Sequence, residues 1–224
     1  MEGNKLPIAQ WIDHTLLKVD ASQSQIENLC NESIQYQTYS VCVNPQWIPV
    51  AYKMLQGTPI KKCTVIGFPL GSTFLSTLLI ETEMAIMSGA DEIDMVINVG
   101  ALKSGDSKRV LNEMKIVTEL AHTRNVLVKI IVESVVLTLD EKIHAAHLVV
   151  ESGADFLKTS TGFVSNPNLV DDVKLFLRIL PEGFKIKASG GIHDYSTAIR
   201  LLNMGVQRIG TSSTVKIIEE EQHI

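Results

Sequence analysis

The sequence predicts a single α/β domain, a TIM-type (β/α)8 barrel covering residues 1–224. Three observations carry that prediction. The chain has 224 residues, a length at which α/β barrels fold as one unit. Short apolar runs alternate with longer amphipathic segments throughout, with no low-complexity linker between them. A doubly wound open sheet, the main alternative, usually carries a G-x-G-x-x-G turn after its first strand, and none occurs here.

The expected strands are Ile12–Leu16, Ser40–Val43, Lys62–Gly67, Glu92–Asn98, Leu127–Glu133, Phe156–Thr159, Lys185–Ser189 and Arg208–Thr211. Several are nearly continuous in Val and Ile, as in Val126–Val132, the pattern of a parallel strand buried on both faces. Amphipathic segments lie between them. Ser104–His122 puts Val110, Leu111, Met114, Val117 and Leu120 or Ala121 on one stripe. Leu139–Glu151 does the same with Ile143, Ala146, His147 and Val150, and Asp194–Leu202 with Ala198, Ile199, Leu201 and Leu202. Asp20, Ser22, Asp106, Asp140 and Asp194 are candidate N-caps. Ser88-Gly89-Ala90-Asp91 and Ser152-Gly153-Ala154-Asp155 are near copies, and Asn203-Met204-Gly205-Val206 repeats the theme. In each, a helix stops at glycine and a strand begins, which suggests one βα unit reused.

Composition narrows the function. Hydrophobic residues make up 45% and charged residues 20%, the balance of a globular core. The net charge of −5, with signs mixed along the chain, offers no basic face to nucleic acid. Cys30, Cys42 and Cys63 are odd in number and form no C-x-x-C pair. They argue against a disulfide framework or a zinc-thiolate site and fit a reducing cytoplasm. Met1–Gln10 has no basic patch followed by an apolar run, so a signal peptide is not expected. No run of about 18 apolar residues predicts a membrane span. No His/Asp/Glu cluster has the spacing of a metal site, and His144 and His147 read as core and surface of an outer helix.

Barrel active sites lie at the C-terminal ends of the strands, and those ends are polar here. They carry Asp13-His14-Thr15, Cys42 with Asn44, Asp94 with Asn98, Lys129 with Glu133, Lys158-Thr159-Ser160, Lys187 with Ser189-Gly190-Gly191, and Gly210-Thr211-Ser212-Ser213. Lys158 is the sharpest signal, because desolvating an unpaired ammonium inside an apolar strand is expensive. It is either a buried lysine held by a carboxylate or a nucleophile. The second role needs a neutral amine, which another ammonium nearby favours, and Lys187 lies at the equivalent depth of the next strand. Asp94, flanked by apolar residues, faces a salt bridge or a reaction, and pairing with Lys187 allows both. Gly190-Gly191 and Gly210-Thr211-Ser212-Ser213 follow the last two strands, where barrels often bind phosphate. Asp91 and Glu92 read as solvated loop residues, Ser72, Ser76 and Thr77 as loop and cap, and Glu219-Glu220-Glu221 as a solvated tail.

Seven blocks, in order and at strand ends, resemble the deoxyribose-phosphate aldolase family over nearly the whole chain. They are Asp13-His14-Thr15-Leu16-Leu17, Ser40-Val41-Cys42-Val43-Asn44-Pro45, Val65-Ile66-Gly67-Phe68-Pro69-Leu70-Gly71, Asp91-Glu92-Ile93-Asp94-Met95-Val96, Lys158-Thr159-Ser160-Thr161-Gly162, Lys187-Ala188-Ser189-Gly190-Gly191-Ile192 and Gly210-Thr211-Ser212-Ser213. The resemblance implies a metal- and cofactor-free class I aldolase. Its reaction would be reversible cleavage of 2-deoxy-D-ribose 5-phosphate to D-glyceraldehyde 3-phosphate and acetaldehyde. It implies an imine on Lys158, a Lys187 that lowers the Lys158 pKa, and a proton relay between Lys187 and Asp94. Asp13, Thr15, Cys42 and Thr159 would lie near the sugar. Gly162, Gly190, Gly191, Gly210, Ser212 and Ser213 would surround the phosphate. Barrels of this kind are often dimers or tetramers, so a homo-oligomer is expected.

Two features depart from the family pattern. Phe163-Val164-Ser165-Asn166-Pro167-Asn168 stands where many relatives have a glycine-rich or basic stretch. The tail Gln222-His223-Ile224 lacks the terminal tyrosine that assists proton transfer in some relatives. The rival readings are a lyase for a different phosphosugar, a transaldolase-like transfer included, and a catalytically inert sugar-phosphate binder.

Overall fold

The structure, a computed structural model, describes residues 6–223. Met1–Lys5, part of the segment expected to carry no signal, and Ile224 of the tail lie outside them. Among the described residues, eight parallel strands close into a barrel in chain order. They are β1 (Ile12–Leu16), β2 (Ser40–Val43), β3 (Lys61–Ile66), β4 (Glu92–Val96), β5 (Leu127–Ile131), β6 (Phe156–Lys158), β7 (Lys185–Ser189) and β8 (Arg208–Thr211). β8 closes on β1 through Ile12↔Ile209, Asp13↔Gly210 and His14↔Thr211. β4 and β5 end before the sequence suggested. Asn98 turns to accept a hydrogen bond from Ala101 N, and Glu133 takes a left-handed backbone with φ 49°.

The helices are α1 (Gln23–Tyr36), α2 (Ile48–Met54), α3 (Leu75–Met87), α4 (Val99–Lys103), α5 (Ser107–His122), α6 (Leu139–Glu151), α7 (Leu169–Ile179), α8 (Tyr195–Asn203) and α9 (Thr214–Gln222). Ser22 caps α1 in a box with Gln25, and Asp106 and Asp194 cap α5 and α8. Asp20 sits in the turn before Ser22 and caps nothing. Asp140 is likewise not a cap. Thr138 is, boxed with Glu141, which leaves Asp140 in the first turn where the helix dipole favours its charge. The buried face of α6 is Ala145, Ala146, Leu148 and Val149. The imidazoles of His144 and His147 therefore both meet solvent, and neither is core. Glu219–Glu221 is not a tail but the last turn of α9. The Glu221 carboxylate accepts from Ile8 N at 3.2 Å and Glu220 from Tyr195 N at 2.7 Å, so this helix is tied to the start of the described chain and to α8.

The three glycine joints share one device. Gly89, Gly153 and Gly205 all adopt positive φ and stop a helix. Two residues later, Asp91, Asp155 and Gln207 each accept from the backbone N–H near the start of the preceding strand, at Lys62, Val128 and Ile186 (2.9, 2.8 and 2.8 Å). The repeat visible in the sequence is thus a lock between consecutive strands.

The main apolar core lies outside the barrel wall. Val41, Ile93, Val128, Ile130 and Ile186 pack there against Met114, Val117 and Phe176 of the helices. Inside the barrel the apolar cluster is small, built from Leu17, Cys42, Cys63 and Val65 with Phe68 against it. No helix among the described residues is long and apolar enough to cross a membrane. Phe176, fully buried on α7, is among the largest side chains of the outer core. Phe176→Ala is expected to cost about 3–5 kcal/mol of stability, read from the urea midpoint.

Candidate active site

Alternate residues of a strand face the same side, and in this barrel the inward positions carry charge. Asp13 on β1, Glu92 and Asp94 on β4, Lys129 on β5, Lys158 on β6, Lys187 on β7 and Arg208 on β8 are all buried and joined in one network. Asp94 is its hub. Its Oδ1 accepts from Lys129 at 2.9 Å, and its Oδ2 accepts from Lys158 at 2.8 Å and Lys187 at 2.7 Å. The register sets Lys158 directly beside Lys187, at the equivalent depth expected from the sequence. Lys187 also reaches Asp13, whose other oxygen accepts from Arg208 at 2.7 Å and from Ser40 at 2.6 Å. Arg208 bridges on to Glu92 at 3.1 Å, and Glu92 meets Lys129 at 2.6 Å, closing the circuit. The Arg208 guanidinium lies 3.4 Å from the centroid of the Tyr39 ring.

Burial alone would push both Asp94 and Asp13 up. The cations override it: Lys129, Lys158 and Lys187 hold Asp94 well below the carboxylate range, and Lys187 and Arg208 do the same for Asp13. Burial would push Lys129, Lys187 and Arg208 down, yet each is raised: Lys129 chiefly by Asp94, Lys187 and Arg208 chiefly by Asp13. All three are therefore fixed cations. Burial pushes the Cys63 thiol up, so it keeps its proton and donates to Asp94 Oδ1 at 3.2 Å. A hydrogen bond with Cys63, against the effect of burial and together with the Lys187 charge, lowers Cys42.

Counting charges among the described residues of the network gives three carboxylates (Asp13, Glu92, Asp94) and four bases (Lys129, Lys158, Lys187, Arg208). Lys129, Lys187 and Arg208 match the three carboxylates in number, which leaves Lys158 as the fourth base. Glu92, read from the sequence as solvated, belongs to this core because it opens β4 and points inward. Asp91 is half-exposed, paired with Lys62 at 2.6 Å. Sequence reasoning also missed Arg208. The signal was present in both cases: Glu92 and Asp94 alternate, as do Arg208 and Gly210, so the charge shares a face with a residue already singled out.

Above the network, at the C-terminal ends of the strands, lies a cavity of about 460 Å³. Of the four bases, Lys158 alone lines it. Thr15, Gly162, Gly190, Gly191, Gly210 and Ser212 line it as well. Asp13, Cys42, Asp94, Lys187 and Thr159 sit below its surface, fully buried. Asp13 and Cys42 therefore do not line the pocket as the resemblance suggested: their side chains point inward one layer down. Thr159 donates to Ser189 O at 3.0 Å, and Ser213 pairs with His193 Nδ1 at 3.1 Å. Gly190, at φ 91°, would drive a Cβ to 2.7 Å from Ser160 Oγ, and a Cβ on Gly210 would come 3.0 Å from Lys187 Cε. Gly210 thus makes room for the lysine as well as flooring the cavity.

The wall beside Lys158 is held by Glu133, whose carboxylate accepts from Thr161 N at 3.2 Å and from the Thr161 hydroxyl. That hydroxyl in turn accepts from Phe163 N at 3.1 Å. The Phe163 ring meets Phe68 edge-on at 5.2 Å, so an aromatic pair spans the mouth from the β3–α3 loop to the β6–α7 loop. Cys42, Cys63 and Asp94 come within metal-ligand distance of one another, but both Asp94 oxygens already accept from lysine ammonium groups. A metal ion there would face that repulsion, so the donor set does not suit one.

The DeoC/LacD family aldolase model matches residues 8–210. The chain is 48% identical over 219 residues to the deoxyribose-phosphate aldolase of a Geobacillus species, covering 98% of this chain and 96% of that one. Among solved structures, an aldolase named QR15 superposes with a TM-score of 0.92 at 37% identity, covering 98% of this chain and 97% of its own. The tetrameric deoxyribose phosphate aldolase of Aeropyrum pernix superposes with a TM-score of 0.86 at 30% identity, covering 96% and 91%.

Arg208→Met removes one fixed cation and leaves Asp13 and Glu92 buried with less compensation. It is expected to cost about 3–5 kcal/mol at neutral pH. Asp13 is depressed in the fold, so its stabilisation is complete above the ordinary carboxylate range and is lost as pH falls below about 4. The gap between wild type and Arg208→Met in urea denaturation should therefore narrow towards acid pH.

Proposed function

The chain belongs to the DeoC/LacD aldolase family, and on that premise we propose that it cleaves 2-deoxy-D-ribose 5-phosphate reversibly to D-glyceraldehyde 3-phosphate and acetaldehyde through a Schiff base on Lys158. One observation carries this reading. The base that the buried network does not need for charge balance is also the one whose side chain reaches the cavity. A neutral Lys158 leaves the network balanced, and a neutral amine is what attacks a carbonyl.

The steps follow from that placement. The Lys158 amine adds to the C1 aldehyde of the open-chain sugar, water leaves, and a protonated imine forms. A bridging water takes the proton of the C3 hydroxyl and hands it to the Asp94 carboxylate, with Lys187 remaining a cation beside it. The C2–C3 bond breaks, its electron pair moves onto the imine as an enamine, and C3 leaves as the aldehyde of glyceraldehyde 3-phosphate. The relay returns a proton to C2, and hydrolysis releases acetaldehyde and the free amine. The protonated imine is the electron sink, so the reaction needs neither metal nor cofactor. Lys187 acts here as a permanent cation beside the nucleophile, and Asp13 acts through Lys187 by holding it in place.

Thr15 would meet the sugar, and Gly162, Gly190, Gly191, Gly210 and Ser212, which line the cavity, would with Ser213 meet the phosphate, since backbone N–H groups and hydroxyls at strand ends suit an oxyanion. Three buried free cysteines fit a reducing cytoplasm. The tetrameric Aeropyrum relative supports a homo-oligomer.

Borohydride reduction with 2-deoxyribose 5-phosphate in the presence of EDTA, followed by intact mass and peptide mapping, tests the mechanism. The expected product is one adduct on Lys158, and none in a folded Lys158→Ala variant, which should also lose cleavage. Turnover retained in that variant would sink the proposal, and a panel of other phosphosugars tests the choice of substrate. Lys187→Leu removes the adjacent fixed charge and is expected to move the pH–rate profile to higher pH. An unshifted profile would show the two lysines to be uncoupled.

A further inference from the structure

We propose that Lys18, on the loop between β1 and α1, is a phosphate-recognition residue that supplies the cationic contact to the phosphomonoester end of the substrate. The inference rests on the aldolase reading above and deepens it. A phosphomonoester carries close to two negative charges near neutral pH, so a site built from glycine N–H groups and serine hydroxyls alone leaves that charge without a counter-ion.

After Gly162 stands Phe163, an uncharged side chain with its ring packed on Phe68. Among the residues lining the cavity the lysines are Lys158 and Lys18, and Lys158 is committed to the carbonyl end. Lys18 enters none of the lysine ion pairs found among the described residues. It is exposed, with its ammonium head open to solvent.

Its position fits the task. A second cavity, of about 400 Å³, opens on the α1 side of β1. Lys18 and Ser212 each line both cavities, as do Thr15 and Leu16. Ser212 belongs to the loop after β8, and the same cavity is lined by Gly190, Gly191 and Gly210. Lys18, on the loop after β1, therefore lines the same cavity as the hydroxyl and glycine groups assigned to the phosphate. Asp20 lines this cavity too, and its carboxylate would repel a phosphate. That repulsion makes a neutralising lysine beside it the more necessary.

The experiment compares wild type, Lys18→Met and Lys18→Arg in cleavage of 2-deoxyribose 5-phosphate, with inorganic phosphate binding measured by calorimetry on the same preparations. A charge-assisted contact at an exposed wall corresponds to about a tenfold change in affinity. Lys18→Met is expected to raise KM about tenfold, with a much smaller change in kcat, and to weaken phosphate binding by a similar factor. Lys18→Arg should restore most of both. Unchanged KM and phosphate affinity in Lys18→Met would overturn the assignment. So would a fall in kcat alone, or equal losses in the Met and Arg variants, which would mark the effect as one of packing. If the wild type itself fails to cleave the sugar phosphate, the aldolase reading fails. The phosphate-binding comparison then still decides the role of Lys18.

Discussion

Charge balance inside the barrel is the constraint on which the rest depends. Two successive inward layers of β4 carry Glu92 and Asp94, and the facing strands answer with Lys129, Lys187 and Arg208. Taking that many charges out of water is costly, and the cost is recovered only where each charge has close partners. Every distance in the circuit reflects that requirement. Replacing buried ion pairs by apolar side chains is often neutral or stabilising in other proteins. What the charged network provides is a specified place for one more base, held 2.8 Å from Asp94 and opening upward.

The division of labour in the fold follows. Stability comes mainly from the outer layer, where the apolar faces of the strands meet the helices. The interior is thereby free to hold a polar network. The glycine joints fix β4 against β3, β6 against β5 and β8 against β7 through Asp91, Asp155 and Gln207, and the β6–β7 pairing sets Lys158 beside Lys187. Function then sits on the loops above, where Glu133 pins Thr161 and the Phe68–Phe163 pair spans the mouth. The buried charges are placed by strands and the cavity is framed by loops, the usual arrangement for a barrel.

Much of this was legible in the sequence, for identifiable reasons. β1, β2, β7 and β8 have the bounds expected of them, and for the last three Gly, Pro or a cap residue closes the run. Lys158, Lys187 and Asp94 stood out because charge inside an apolar strand has few explanations. Glu92 did not stand out, because a carboxylate beside Asp91 at a helix–strand joint has the composition of a loop, and only the alternation with Asp94 reveals its direction. Arg208 was hidden in the same way at the opening of β8. The face of α6 was misjudged because alanines carry little periodic signal, while His147 fell on the expected stripe and took a place that Leu148 and Val149 hold. The layer in which Asp13 and Cys42 sit depends on how the strands tilt around the barrel, which a one-dimensional pattern does not encode.

The central claim is that Lys158 is the uncommitted base of a balanced cluster while Lys129 and Lys187 are locked as cations. Competitive trace acylation with a small reagent, across pH and with site-resolved mass spectrometry, measures it most directly. The account predicts that Lys158 reacts selectively near neutral pH and is protected by bound sugar phosphate, while Lys129 and Lys187 stay silent until the protein unfolds. Reaction of Lys187 at the same pH as Lys158, or a Lys158 that labels only in strong base alongside the surface lysines, would contradict it.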